Sequence, residues 1–411
     1  MPDGCRILIV TSGALSRNPR PAKEAVTLAR AGYEVTVLRP SEGPHYDRLD
    51  EELKTDAVYR DEFISPESGT RARTLDRLRR WLAIRALRLG IEHPASVGAS
   101  RTLLTRARKI PADLTIVHNE AALWAGMQLM REGRNVAGDI EDWYSQDLEE
   151  QDRRHRPLKL LERSEKIMLH HAAYVSTTSE SMSAALHQRF GGNPAHVITN
   201  SFPLQPNPRN EQPTAEGPPT FFWFSQTVGP GRGLEAFLAS WTQMSAPSRL
   251  VLLGQPSPGY LDHLLSPLSE LQRKRVEVLN LVSPSALPQV IARHDLGLAL
   301  EKATPANKNH TISNKILQYL NAGLAIVATA TAGQSEVFQR SPGVGLLIGQ
   351  EDSLNLARKL DALVLDRVRL SRCQKAARLL AEERYCWEIE TPRLLKLVRD
   401  ALASPTRRSA L

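Results

Sequence analysis

Cysteine is scarce in this chain of 411 residues: Cys5, Cys373 and Cys386 are all it has. Three thiols cannot all pair, and none stands at a metal-ligand spacing. Neither a disulfide scaffold nor a cysteine zinc site is expected, and a reducing, cytoplasmic setting is the simplest reading. No apolar stretch approaches the ~20 residues that span a bilayer. The N-terminus runs almost at once into a strand-like segment at 6–10, without the apolar core and cleavage site of a signal peptide. The P-loop pattern is missing, and so is GxGxxG after the first strand, which weighs against a P-loop nucleotidase and a dinucleotide dehydrogenase. No zinc finger, RNA-recognition motif or aromatic-interleaved basic platform is present, so nucleic acid is not an expected partner. His170 and His171 are adjacent and point apart on a helix, so no metal is expected there.

What is present is the composition of a globular protein, 41% hydrophobic and 24% charged, with a net charge of +8 that favours anionic partners. The length suggests two domains of ~200 residues each. Short, unbroken apolar runs at 6–10, 34–38, 114–117, 136–140, 174–177 and 197–200 alternate with amphipathic segments. After the proline-rich stretch 204–218 the pattern starts again, at 221–224, 250–253, 276–279, 296–300, 325–328 and 345–348. Strands buried on both faces and alternating with helices indicate two parallel sheets, with 204–218 as the linker between them.

Two loops of the second half have anion-binding chemistry. The run 226–233 follows a strand and contains Gly229, Gly231, Arg232 and Gly233, so backbone amides and one guanidinium are offered to an anion. The polar loop 302–310 follows Glu301. Ser313 or Asn314 then caps a helix with Lys315 in its first turn, and Gly323 ends it. Between Arg71 and Arg108 the chain is rich in arginine. Leu75, Leu78, Leu82, Ala86 and Leu89 share one side of a helix, opposite Arg73, Arg77, Arg80 and Arg88. One reading is a helix packed on the sheet with a solvated basic face. The other is a peripheral contact with an anionic membrane, because Trp81 and Ile84 interrupt the charged side.

The run Asn314, Lys315, Ile316, Leu317, Gln318, Tyr319, Leu320, Asn321, Ala322, Gly323, Leu324, Ala325, Ile326 and Val327 resembles the N-K-[ILF]-x-E-Y-x-x-A-G-x-P-[IV]-V pattern of GT-B glycosyltransferases of the retaining family 4 type, the bacterial group 1 enzymes. Asn18, Pro19, Arg20, Glu24, Ala25, Leu28, Gly32, Tyr33, Val35 and Val37 match the N-terminal entry of the same family. Gln318 stands where the family usually has glutamate and Ala325 where it has proline. In that register His310 and Gln318 occupy the places of the family's two glutamates. Gly333 to Glu336 resembles the loop that follows, usually G-G-x-x-E.

The resemblance implies a GT-B fold, two Rossmann-like βαβ domains facing each other across a cleft. An acceptor-binding domain would cover 1–203, the linker 204–218, a nucleotide-sugar domain 219–384, and a C-terminal helix at 385–411 would cross back to the first domain. It implies donor-diphosphate binding by Arg232, Gly233 and Lys315 beside Asn314, a ribose contact from Gln318, and a sugar-hydroxyl contact from Glu301. On the acceptor side it points to the segments Val117 to Glu120 and Asp139 to Trp143, with Glu120 and Asp142 as the carboxylates that orient or deprotonate the acceptor hydroxyl.

The implied activity is metal-independent, hexosyl-type transfer from a nucleotide diphosphate sugar to a carbohydrate or lipid-linked glycan, with retention of configuration, in cell-surface polysaccharide or glycoconjugate synthesis. No cofactor beyond the donor is implied, and the place of work is the cytoplasm or the inner face of the membrane. Two rivals keep the same fold. One is a non-catalytic scaffold or glycan-binding partner, favoured by the two missing glutamates; the other is a sugar-nucleotide epimerase.

Overall fold

The computed structural model describes residues 4–52, 59–64, 70–153, 156–206, 217–349 and 351–403, with the side chains of 52 and 70–77 outside the description. The chain forms two compact units, Met1–Ile198 with Thr391–Leu411, and Thr199–Glu390.

The first unit is built on a parallel sheet of seven strands: β1 (Arg6–Val10), β2 (Glu34–Pro40), β3 (Arg60–Ile64), β4 (Leu114–His118), β5 (Val136–Ile140), β6 (Val175–Thr177) and β7 (His196–Val197). Their order is β3-β2-β1-β4-β5-β6-β7. Apolar residues such as Ile7, Leu8, Ile9 and Ile116 are fully buried because helices cover both faces. The chain moves one way from β1 to β2 and β3, then returns to place β4 on the other side of β1. The helices after β1 and β4 therefore depart to opposite faces and leave a crevice at the strand ends, which is where such sheets take ligands.

The second unit repeats this plan with β8 (Thr220–Val228), β9 (Arg249–Pro256), β10 (Val276–Leu279), β11 (Leu296–Ala299), β12 (Ala325–Thr329) and β13 (Gly345–Ile348), in the order β10-β9-β8-β11-β12-β13. Here the switch point lies between β8 and β11. Tyr319 locks the middle of the sheet: its ring lies over Gly297, where an added Cβ would come within 2.2 Å of it, and its hydroxyl donates to Leu298 O at 3.2 Å or Phe222 O at 3.3 Å.

Several expectations are corrected. The seventh strand is His196–Val197, not 197–200, and β3, whose sequence RDEFI carries no apolar run, is an edge strand that hydrophobicity does not announce. Strand β8 runs on to Val228 through an irregularity between Phe224 and Thr227, so the glycine-rich turn is shorter than the sequence suggests. Gly333 to Glu336 is the first turn of the helix Ala332–Arg340, not a loop. Most of the expected linker, 207–216, lies outside the described residues. The helix Trp387–Ala403 runs through the boundary between the units, and Ala401 O near its end accepts from Asn135 Nδ2 at 2.9 Å.

The arginine-rich stretch folds as helix Thr70–Leu87, a short turn Pro94–Val97 and helix Ser100–Ala107. The sequence pattern put Leu78, Leu82 and Leu89 inward, but all three are exposed, as are Trp81 and Ile84, while Ala83 is buried. Apolar residues occur around most of this helix, so the wheel alone does not select the packed face. Leu75, Arg73 and Arg77 belong to the side chains outside the description. No described helix is long and apolar enough to cross a membrane.

Candidate active site

In the second unit the site is built by two short turns at the β8/β11 switch point. After β8 the chain turns through Gly231 and Gly233, both in the left-handed region at φ +76 and +77, and enters helix Leu234–Trp241. A Cβ at Gly233 would stand 2.8 Å from Leu300 O, so the turn is pressed against the last residue before Glu301. Arg232 lies between these glycines, half-buried, with no hydrogen-bond or ion-pair partner among the described residues.

Glu301 follows β11 and reaches the helix Asn314–Ala322. Its carboxylate accepts from Lys315 Nζ at 2.9 Å and from Ser313 Oγ at 3.2 Å. Ser313 also caps that helix through Lys315 N, and Gly323 ends it at φ +68. Burial alone would raise the Glu301 pKa, but Lys315, with help from Lys308 and Ser313, outweighs it and holds the carboxyl below its ordinary value. Lys315 Nζ also lies 5.7 Å from the centre of the Trp223 ring. Asn314 is exposed and accepts from Asn200 Nδ2 at 3.2 Å; Gln318, one turn on, is half-buried with no hydrogen bond among the described residues. His310 ends the short helix Ala306–His310, and burial lowers its pKa. The sheet thus gathers Arg232, Glu301 and Lys315 at one edge. A guanidinium, an ammonium and a helix N-terminus together offer charge and donors to an anion.

The first unit collects acids at the ends of β4 and β5. Glu120, in the first turn of helix Asn119–Arg131, pairs with Arg156; burial raises its pKa against the pull of that arginine. Asp142 is half-buried two residues past β5. Between them sits Glu141, 8% exposed, whose Oε1 accepts from Asn18 Nδ2 and, at 2.9 Å, from Asn119 Nδ2. Burial, with Asp142 and Asp139 beside it, pushes the Glu141 carboxyl up to about 7.

Beneath this rim lies a charge cluster that spacing did not reveal. Arg20 is fully buried, with Nε 3.0 Å from Asp139 Oδ1 and Nη1 donating to Ile198 O at 2.8 Å. His118 Nε2 is 3.2 Å from Glu24 Oε2 and Nδ1 is 3.7 Å from Asp139 Oδ1. Glu24, His118 and Asp139 bring ligand-type atoms within 4.8 Å of one another. Arg20 already occupies Asp139, however, and the two ring nitrogens face different carboxylates. The arrangement sets an imidazole, whose pKa the acids raise, and a guanidinium against two acids, rather than building a metal cage. Arg20 and Asp139 were visible in the sequence only as isolated motif members; Glu141, Asn119 and Asn18 gave no spacing signal, being 22 and 123 residues apart from their partner.

Two Rossmann-like units with a ligand edge each define a GT-B protein, and solved structures agree. Anabaena HepE in complex with UDP superposes with a TM-score of 0.70 at 18% identity, over 96% of this chain and 99% of that one. Sucrose-phosphate synthase from Thermosynechococcus elongatus gives 0.70 at 15% identity, over 97% and 99%. S. aureus TarM, in complex with fondaparinux, alpha-GlcNAc-glycerol and UDP, gives 0.65 at 11% identity, over 97% and 100%. At such identities the likeness shows the fold alone. Residues 218–366 match the family model described as glycosyl transferases group 1, and 19–201 match the glycosyl transferase 4-like domain. The chain belongs to the group 1 glycosyltransferases. No curated protein sequence matches it closely.

Proposed function

We propose that the protein transfers a hexosyl group from a nucleotide diphosphate sugar, with UDP as the first nucleotide to try, to a carbohydrate or lipid-linked glycan acceptor. The observation that carries this reading is that the turn holding Arg232, which has no partner among the described residues, is pressed through Gly233 against Leu300, next to the Glu301 that holds Lys315 and Ser313 at a helix N-terminus. One solved protein of this fold, HepE, has been seen with UDP, with UDP-glucose, and with UDP and glucose. Arg232 and Lys315 would stabilise the charge that builds on the departing diphosphate, the task a metal ion performs elsewhere, so the transfer is proposed to be metal-independent. Gln318 would hydrogen-bond the ribose, Asn314 would border the phosphates, and Glu301 would hold Lys315 and meet a sugar hydroxyl. Glu120 and Asp142 would orient the acceptor. Departure and attack on one face would retain configuration. The pathway would be cell-surface polysaccharide or glycoconjugate synthesis.

The helix Thr70–Leu87 supports a peripheral membrane contact in that reading. Leu78, Trp81, Leu82 and Ile84 are exposed beside Arg80 and Arg85, and the Arg85 guanidinium stacks 4.0 Å from the Trp81 ring centre. Apolar wedges flanked by arginine suit the anionic inner leaflet.

The test is nucleotide release from a panel of nucleotide sugars, by wild-type protein and Lys315→Ala. Release by the wild type, lost in a folded variant, supports the enzyme. Nucleotide binding without any release would favour the scaffold, a reading that His310 and Gln318 keep open by standing where the family has acids.

A further inference from the structure

Glu141 is nine-tenths buried at the ligand edge, yet half of its carboxylate is unused. Both hydrogen bonds it accepts, from Asn18 and Asn119, fall on Oε1, and Oε2 accepts none from a described residue. Asn119 is held for this task. Its backbone is in the left-handed region at φ +67, a conformation side-chain-bearing residues rarely adopt, and its Oδ1 accepts from Thr11 Oγ1 at 2.7 Å. Tyr144 supplies a second, independent sign: it is 6% exposed, its hydroxyl has no hydrogen-bond partner among the described residues, and it lies in the field of Glu141, Asp142, Asp139 and Glu120. A buried hydroxyl is rarely left unpaired, and Glu141 Oε2, which is not sealed from solvent, is open to a partner from solution. The neighbouring acids have less to offer. Glu120 is matched by Arg156, and Asp139 is taken by Arg20 and Ser176.

We propose that Glu141 Oε2 accepts a hydrogen bond from a hydroxyl of a neutral acceptor sugar seated at the ends of β1, β4 and β5, with Asn18 and Asn119 as positioning residues. This rests on the glycosyltransferase reading and names the sugar class that its acceptor side takes. An ionised carboxylate offers lone pairs alone, so its partner must be a donor. Asp142 and Asp139 add negative charge beside Glu141 that Arg20 and His118 offset only in part, which disfavours a phosphate or carboxylate on that sugar. The ionised form of Glu141 is the stronger acceptor for the hydroxyl, and a carboxyl pushed up to about 7 makes sugar binding weaken in acid.

Two measurements test this, with UDP-glucose and glucose as probes. In protein labelled with carbon-13 at the glutamate carboxyls, one resonance should titrate near neutrality, vanish in Glu141→Gln, and shift its midpoint downward when glucose is added. A tenfold preference of the sugar for the ionised form moves it by about one pH unit. In assays of UDP release, Glu141→Gln should raise the KM for glucose about tenfold or more, for one lost hydrogen bond to a charged group, while the affinity for UDP stays unchanged. The wild-type KM should rise as pH falls through neutrality, and that of the variant should stay flat. A wild-type midpoint that glucose does not move, or an unchanged KM in the variant, overturns the inference and leaves the donor site standing. Failure of the wild type to bind any nucleotide diphosphate, or to release one from any nucleotide sugar of the panel, overturns the glycosyltransferase reading and this inference with it.

Discussion

Arg20 and Asp139 form a fully buried ion pair, Nη2 to Oδ2 2.6 Å, between the helix Pro19–Arg30 and β5, 119 residues apart in sequence. Burial disfavours the guanidinium charge, but Asp139 and Glu24 more than restore it. Removing one member would strand the other charge in the interior. Asp139→Ala is therefore expected to destabilise the first unit by about 3–5 kcal/mol. The urea midpoint of the purified variant checks this; a shift corresponding to less than about 1 kcal/mol would mean that Arg20 finds another partner.

Stability should fall as pH rises through neutrality. Burial pushes the Glu165 carboxyl up to about 8, although Ser145 donates to it through both N and Oγ. Burial would lower His118, but Glu24 and Asp139 raise it above its ordinary 6.5. Both groups hold their protons more tightly in the folded state. Their contributions are fully present below the unfolded pKa values, about 4.5 for Glu165 and 6.5 for His118, and are lost as pH rises through the folded ones. The melting temperature should drop between about pH 5 and about pH 8, and Glu165→Gln should flatten that drop. The same pH dependence in wild type and Glu165→Gln would contradict the assignment.

The strand-end turns of the second unit were more legible in the sequence than the acid cluster of the first, for a physical reason. Gly231, Arg232 and Gly233 lie together, and Ser313, Lys315 and Gly323 belong to one helix with its caps, so local rules find them. The parallel strands were equally plain from their apolar runs. The cluster of Arg20, Glu24, His118 and Asp139, and the hold of Asn18 and Asn119 on Glu141, depend on which strand lies next to which. Sequence spacing carries no such information. The packed face of helix Thr70–Leu87 stayed hidden because leucines and arginines share its whole circumference.

Gly233→Ala should be costly twice over. The residue needs φ +77, and a Cβ would meet the Leu300 carbonyl at 2.8 Å, where backbone cannot give way cheaply. A loss of about 1–3 kcal/mol in stability is expected, with weaker UDP binding as Arg232 shifts. Thermal melting and calorimetry read the two effects separately, and unchanged values in both would contradict the packing described for this turn.

If helix Thr70–Leu87 meets a membrane, Trp81→Ala with Leu82→Asp should reduce co-sedimentation with vesicles containing anionic lipid. The remaining binding should weaken in salt, at about 1 kcal/mol per arginine near the surface. Equal sedimentation of wild type and variant would rule out this face as the contact.

The most direct measurement is calorimetric titration of UDP into the wild-type protein, Arg232→Ala and Lys315→Ala. Each substitution removes a charged donor at the β8/β11 edge and should weaken binding by about 1.5–3 kcal/mol, roughly ten- to a hundredfold. Lys315→Ala should be the worse of the two, because it also leaves the Glu301 carboxylate with only Ser313 and Lys308 to offset its charge beside the proposed diphosphate. Wild-type affinity in both folded variants would contradict the placement of the donor diphosphate at Arg232 and Lys315.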